Sequence, residues 1–228
     1  MVEDNLKNIL KELPPEVKLV AVSKFHPASD IQAAYNAGQR RFGENRPQEF
    51  AAKVPSLPDD IEWHFIGHLQ TNKLKFVLPY ASLVESIDSL HLLEAVDKWG
   101  SEHDKVIDVL LELHLGAEET KGGFTEEEIE SILSRSLSGA EGSGAEGPFS
   151  HIRFRGLMGM ATLTEDTSVI AGDFARIAAL KALVNEEFPN LTDFTELSIG
   201  MSGDWRLALE AGSTMVRIGT AIFGPREY

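Results

Sequence analysis

Residues 17–24, VKLVAVSK, form a short run whose middle is apolar on both alternating faces. A strand covered on both faces reads this way, and that burial belongs to parallel sheets with helices packed around them. Seven further runs of the same kind follow: RRFGEN (40–45), EWHFIG (62–67), LVESID (83–88), VIDVLLELHL (106–115), IRFRGLMG (152–159), ELSIG (196–200) and TMVRIGTAIFG (214–224). Helical patterns lie between them. Ala28–Ala37 places Ile31, Ala34 and Tyr35 on one stripe, with Ser29 or Asp30 as the expected cap. Segment 168–188 spaces Ile170, Phe174, Ile177, Val184 and Phe188 helically before the stop at Pro189, and Asp204–Ala211 closes on Gly212. Eight strand–helix units predict an α/β fold, a (β/α)8 TIM barrel, whose usual length is about 250 residues. An open doubly wound sheet is the rival, and it rarely needs so many regular units in so short a chain. The 228 residues are expected to form a single domain, 1–228, with the opening helix, 1–13, added at the bottom or side of the barrel. Residues 136–150, SLSGAEGSGAEGPFS, read as a flexible Gly/Ser-rich insertion at the bottom rim.

Charge and composition narrow the function classes. Acidic side chains number 36 against 21 basic ones, a formal charge of −15. Such a chain repels a phosphate backbone and an anionic bilayer, which argues against nucleic-acid and membrane partners, though a local basic pocket for a small anion stays open. The absence of cysteine removes disulfides, thiol nucleophiles and thiolate metal sites together. The first residues carry no apolar signal core, and the apolar runs fall short of the roughly 18 residues of a membrane span, so a cytoplasmic location is expected.

Some polar residues stand where a barrel carries chemistry. Lys24 ends the first run on the face of Val20 and Val22, so its ammonium is aimed at the barrel mouth. An amine against apolar walls deprotonates more readily and can condense with an aldehyde, whereas a solvated strand-end lysine cannot be told from it by position alone. Arg217 stands inside the apolar eighth run. Its charge requires either a polar ligand or a buried partner, for which Glu44 and Glu196 are the candidates. Ser202 and Gly203 follow the seventh run and lead into the helix near Asp204, while Gly219 and Thr220 follow Arg217. The loops after strands 7 and 8 are where barrels often hold phosphate. With Lys24 and Arg217 they describe a pocket for a phosphorylated aldehyde. His64 and His68 lie four apart across a strand end without an evident third ligand, so no metal site is expected. The chain contains no Walker loop and no G-x-S-x-G elbow; Gly156 and Gly159 in RGLMGMA read as tight packing. The acidic run at 126–128 reads as the first turn of a helix.

The segments VKLVAVSKFHP, AYNAGQRRFGENRPQE, WHFIGHLQTNK, ESIDSLHLLEA, FRGLMGMA, ELSIGMSGDW and AGSTMVRIGTAIFGPREY together resemble the pyridoxal phosphate homeostasis proteins, a family similar to the barrel domain of alanine racemase. The resemblance covers about Val17 to Tyr228. It implies pyridoxal phosphate as cofactor, joined as a Schiff base to Lys24, with Asn45 of the G-E-N motif near the ring and Arg217 near the pyridine nitrogen. It also implies phosphate contacts from Ser202, Gly219 and Thr220. Asn45 alone of these has no support outside the resemblance. The chain departs from the family at Phe25 and His26, where a small polar residue and a lysine are usual, at Pro47, and in the long 136–150 segment.

An arginine near the ring nitrogen weakens the ring as an electron sink. The expected function is therefore a non-catalytic binder that buffers pyridoxal phosphate and delivers it to apo-enzymes, as a monomer. The alternative is a racemase-type enzyme, which needs a second acid/base opposite the lysine. Tyr35, Tyr80 and Tyr228 do not fall on evident active-face loops. A phosphosugar-handling barrel is a third possibility, with Glu44, Glu85 or Glu112 as its base.

Overall fold

A computed structural model describes residues 1–116, 122–138 and 148–225. Among the described residues, eight parallel strands follow one another around a closed barrel: β1 (Lys18–Val22), β2 (Arg41–Glu44), β3 (Glu62–Phe65), β4 (Leu83–Ile87), β5 (Ile107–Leu113), β6 (Ile152–Gly159), β7 (Glu196–Ser198) and β8 (Met215–Ile218). The last strand pairs with the first, Val20 opposite Arg217 and Ala21 opposite Ile218. Each expected run contains its strand, and the expected (β/α)8 barrel is the observed architecture.

Two apolar layers hold the barrel. Val20, Leu83, Leu110, Met158 and Met215 fill its interior, with Met160 packed against them. A larger cluster fills the space between strands and helices, including Phe42, Phe65, Val84, Phe174 and Ile218. Alternation along the strands decides which layer a residue joins. In β4, where all five positions are buried, Leu83 and Glu85 share the inner face while Val84 joins the outer layer.

The helices start on recognisable signals. In α6 (Glu126–Ser138) Thr125 and Glu128 exchange side-chain-to-backbone hydrogen bonds of 3.2 and 2.8 Å, a reciprocal cap on the acidic first turn. Ser89 caps α5 (Leu90–His103), and Asp166 caps α7 (Thr167–Glu187). In contrast, α2 (Ala28–Asn36) starts behind Pro27 with no side-chain cap, so neither Ser29 nor Asp30 has the expected role. Asp30 instead lies 3.4 Å from His26.

The eighth run differs from its reading. The strand stops at Ile218, and Thr220–Phe223 is a short helix, α9. The run stays apolar because Ile222 and Phe223 are buried in the outer layer after the chain has left the sheet. The opening helix, α1 (Val2–Glu12), packs beside α2 and α9 on the flank of the barrel. Asn5 donates to the Ile222 carbonyl at 3.0 Å, and Glu12 pairs with Arg206 of α8 (Trp205–Glu210). Thus α1 stands where an eighth barrel helix would otherwise cover the β8–β1 seam. Most of the 136–150 segment lies outside the described residues, and so does Tyr228.

Gly156 marks the register shift between β5 and β6. Its φ is +149°, and a Cβ there would sit 1.9 Å from the Glu196 carbonyl oxygen. Gly159 packs against Leu115 and Ile177, so the glycines of RGLMGMA are indeed packing glycines. Gly156→Ala should therefore lower stability by at least about 2 kcal/mol. Urea unfolding checks this, and a midpoint equal to that of the unmodified protein would contradict it.

Candidate functional site

The site begins where β1 leaves the sheet. Ser23 donates from its backbone to the Gly43 carbonyl (3.0 Å) and from its hydroxyl to Glu44 Oε1 (2.6 Å). Lys53, on α3 (Pro47–Lys53), donates to the Ser23 carbonyl at 3.1 Å and pairs with Glu44 and Glu49 at 2.8 and 2.6 Å. Phe25 adopts φ +69°, a conformation that a side chain disfavours, and its amide donates to Glu49 at 3.0 Å. The Arg46 guanidinium covers the Phe25 ring at 4.3 Å. These contacts hold the turn on which Lys24 stands. Burial pushes Glu44 above the usual carboxylate range, with Lys53 opposing it.

Lys24 lines a cavity of about 250 Å³ at the C-terminal ends of the strands, together with Val22, His26, Ile66, Met160, Met201, Ser202, Gly203, Arg217, Gly219 and Thr220. That volume is near the low end of small-molecule sites, roughly 300–1,000 Å³. Five of the six expected site residues, Lys24, Ser202, Arg217, Gly219 and Thr220, are therefore together. Asn45 is not among the lining residues. It follows β2 and packs so closely on Gly67 that a Cβ there would lie 2.3 Å from the Asn45 carbonyl oxygen. Its Oδ1 is nonetheless buried with no hydrogen-bond partner.

The loops after β7 and β8 are tied together. The Gly219 amide donates to Ser202 Oγ at 3.2 Å, and Gly219 lies so close to β1 that a Cβ would meet the Val22 carbonyl oxygen at 3.1 Å. A Cβ at Gly203 would meet nothing within 4 Å, so that loop keeps open space beside its backbone. His26 stacks on Phe223 at 5.0 Å between ring centroids and is nearly buried.

Arg217 is only 4% exposed, so the choice between ligand and partner is decided by its neighbours. Its Nη1 donates to the Ser198 carbonyl and hydroxyl at 2.7 and 2.6 Å, and Nη2 to the Gly159 carbonyl at 2.9 Å. Its carboxylate partner is Glu85, 3.6 Å away. The two expected partners are elsewhere. Glu44 projects from the opposite face of its strand towards Lys53. Glu196 lies two residues nearer the barrel base than Ser198 and pairs with Lys18. Ser198 and His64 both reach Glu85 at 2.6 Å. Burial raises the pKa of Glu85, but His64, Arg217 and Ser198 outweigh it and keep this carboxyl below its ordinary range.

Glu112 shares the inner face of β5 with Leu110. Burial, with Asp88 adding repulsion, raises its pKa to about 7 against the opposing pull of Arg217 and His68. His64 pairs with Glu85 and His68 with Asp88, and no group of three metal-binding side chains occurs among the described residues. Reading inner faces by alternation finds His64, Glu85 and Ser198, and carried past the strand ends it reaches Ile66 and Met160; Met201, in the loop after β7, carries no such signal.

The whole chain has recognisable relatives. Residues 1–227 match the family model described as alanine racemase, N-terminal domain. A pyridoxal phosphate homeostasis protein of Aquifex aeolicus is 37% identical over 92% of this chain and 88% of its own. The structure of PipY from Synechococcus elongatus with PLP bound is 35% identical, covers 98% of this chain and all of that one, and superposes with a TM-score of 0.86. Alanine racemase of E. faecalis shares the fold at 18% identity and a TM-score of 0.72, this chain spanning 57% of it. The chain belongs to the pyridoxal phosphate homeostasis protein family, built on the fold of the alanine racemase N-terminal domain.

Proposed function

We propose that this protein binds pyridoxal phosphate in the cavity beside Lys24, buffers it, and hands it to apo-enzymes that require it, acting in the cytoplasm as a single-domain monomer without turnover. The observation that carries this reading is the meeting of an amine, a guanidinium and two loops of exposed backbone in one small cavity. The PLP-bound relative, 35% identical along nearly the whole chain, supports it. The residues present suit the group. Ser202 and Thr220 offer hydroxyls and Gly203 and Thr220 amides to a phosphate, Gly219 would come within reach of it through its bond to Ser202, and Val22, Ile66 and Met160 offer apolar cover to a ring. The unpartnered Asn45 Oδ1 could take a donor. Pyridoxal phosphate supplies an aldehyde that condenses with a primary amine, releasing water. Lys24 would provide that amine. Arg217 would hold positive charge near the ring, which disfavours a protonated ring nitrogen and so the stabilisation of a carbanion.

A racemase-type enzyme needs a second acid/base opposite the lysine. Tyr35 donates to Asp60 on the protein surface, and Tyr80 lies edge-on to Phe50; neither lines the cavity. Glu112, on the inner barrel face with its carboxyl raised to about 7, is the acid/base this second reading would call on, but like the tyrosines it does not line the cavity. The arginine argues against that reading. Purified protein given pyridoxal phosphate and several amino acids in deuterated water should exchange their α-protons no faster than the free cofactor does. Turnover well above that background would establish the enzyme.

Mixing with pyridoxal phosphate should give a visible absorption band and, after borohydride, a pyridoxyl group on the peptide containing Lys24. Lys24→Ala should lose both, and persistence of the adduct in that variant would overturn the anchor. Ser202→Ala should weaken binding about tenfold by removing one hydroxyl and loosening Gly219. Glu112 predicts a pH effect whose sign follows from its raised pKa. Between about 4.5 and 7 the folded protein keeps a proton that the unfolded chain has shed, so this group's contribution to stability is lost as pH rises through that window. Glu112→Gln should flatten that part of the profile of melting temperature against pH, and an unchanged slope would show that Glu112 is not its source.

A further inference from the structure

Beneath the cavity lies a line of buried polar groups that the anchoring of a cofactor does not itself require. Arg217 lines the cavity and donates to Ser198 and Gly159. Glu85, buried on β4, accepts from the Ser198 hydroxyl with Oε2 and lies 3.6 Å from Arg217. Its other oxygen, Oε1, is 2.6 Å from His64 Nδ1, which must carry the hydrogen to donate to a carboxylate. His64 in turn lines a second cavity, about 120 Å³, at the N-terminal end of the barrel. Lys18, Arg41, Glu62, Asp108, Arg155 and Glu196 surround that lower cavity. The line therefore crosses the barrel interior from mouth to base through β8, β7, β4 and β3.

An ionised carboxylate at this depth must have both oxygens satisfied, because an unmatched one carries the cost of lost hydration. Glu85 meets this with three neighbours: His64, Ser198 and Arg217. Without the His64 bond, Oε1 has to recruit a donor from the other two. Of those, the guanidinium carries the charge and has hydrogens to give. A closer approach to Glu85 would draw it off the Ser198 and Gly159 carbonyls and away from the cavity.

We infer that His64 is a positioning residue for the cavity: by holding Glu85 Oε1 from below, it leaves Arg217 on the carbonyls that keep its guanidinium at the cavity floor. The inference rests on the cofactor reading above only for its ligand measurements.

Three proteins test it. His64→Leu removes the donor, and His64→Asn keeps an amide donor near the place of Nδ1. His64→Phe retains the ring shape and replaces the leucine variant if that one does not fold. In a ligand-free crystal structure of the donorless variant, Arg217 should be out of hydrogen-bond distance of the Ser198 carbonyl. With pyridoxal phosphate, that variant should bind about tenfold more weakly and show a displaced visible band, while His64→Asn restores both to within about twofold. An unmoved Arg217, an unchanged affinity and band, or failure of the asparagine to rescue would each overturn the inference. A wild-type protein that takes up no cofactor would instead overturn the reading of the cavity, and the ligand-free structures would still decide the role of His64.

Discussion

The interior of this barrel accommodates an ion pair whose remaining hydrogen-bonding groups the neighbours must satisfy, Arg217 with Glu85. Both are removed from water, and such a pair is stable only when hydrogen bonds complete it on all sides. That requirement accounts for Ser198 and His64, and for the carbonyls of Ser198 and Gly159 turned towards the guanidinium. Below the pair Val20, Leu83, Leu110, Met158 and Met215 pack the interior, and His64 leads on to the small polar cavity at the base. Above it a small cavity remains. The pair thus stands between the packed interior and the cavity at the barrel mouth.

The opposite wall of the cavity is positioned by different means. Lys24 stands on a turn whose next residue, Phe25, has a left-handed backbone without being glycine. Such a conformation persists only where surrounding contacts over-determine it. Here Glu49 takes the Phe25 amide, Lys53 the Ser23 carbonyl and Glu44 the Ser23 hydroxyl. A ring of charges behind the turn therefore does for Lys24 what the buried pair does for Arg217. The loops after β7 and β8 have no comparable charge network among the described residues. These loops are joined by the Gly219 amide donating to Ser202 Oγ.

Much of this was legible in the residues. Continuous apolar runs announced parallel strands, and eight of them announced closure. The positions of Lys24, Arg217, Ser202, Gly219 and Thr220 followed from strand ends and loops. The eighth run misled because an apolar helix against the outer layer and an apolar strand share the same composition: Ile222 and Phe223 are buried after the sheet has ended. The partner of Arg217 was missed for a different reason. Glu44, Glu85 and Glu196 are equally acidic on paper, and only alternation along each strand, together with height in the barrel, separates them. Asn45 entered through family likeness alone; its backbone packs against Gly67, and only its unpartnered Oδ1 hints at a ligand.

The placement of α1 has a consequence for biosynthesis. Leu6 and Ile9 are covered beside α9, and Asn5 finds its acceptor on Ile222, 217 positions further along. At ribosomal rates of about 5–20 residues per second, the first helix emerges roughly 10–40 seconds before the segment that shelters it. Through that interval the side of its greasy stripe that faces α9 has no native dock, and the cylinder cannot be sealed. The nascent protein must wait, with Leu6 and Ile9 unsheltered on that side, until Ile222 and Phe223 have left the tunnel.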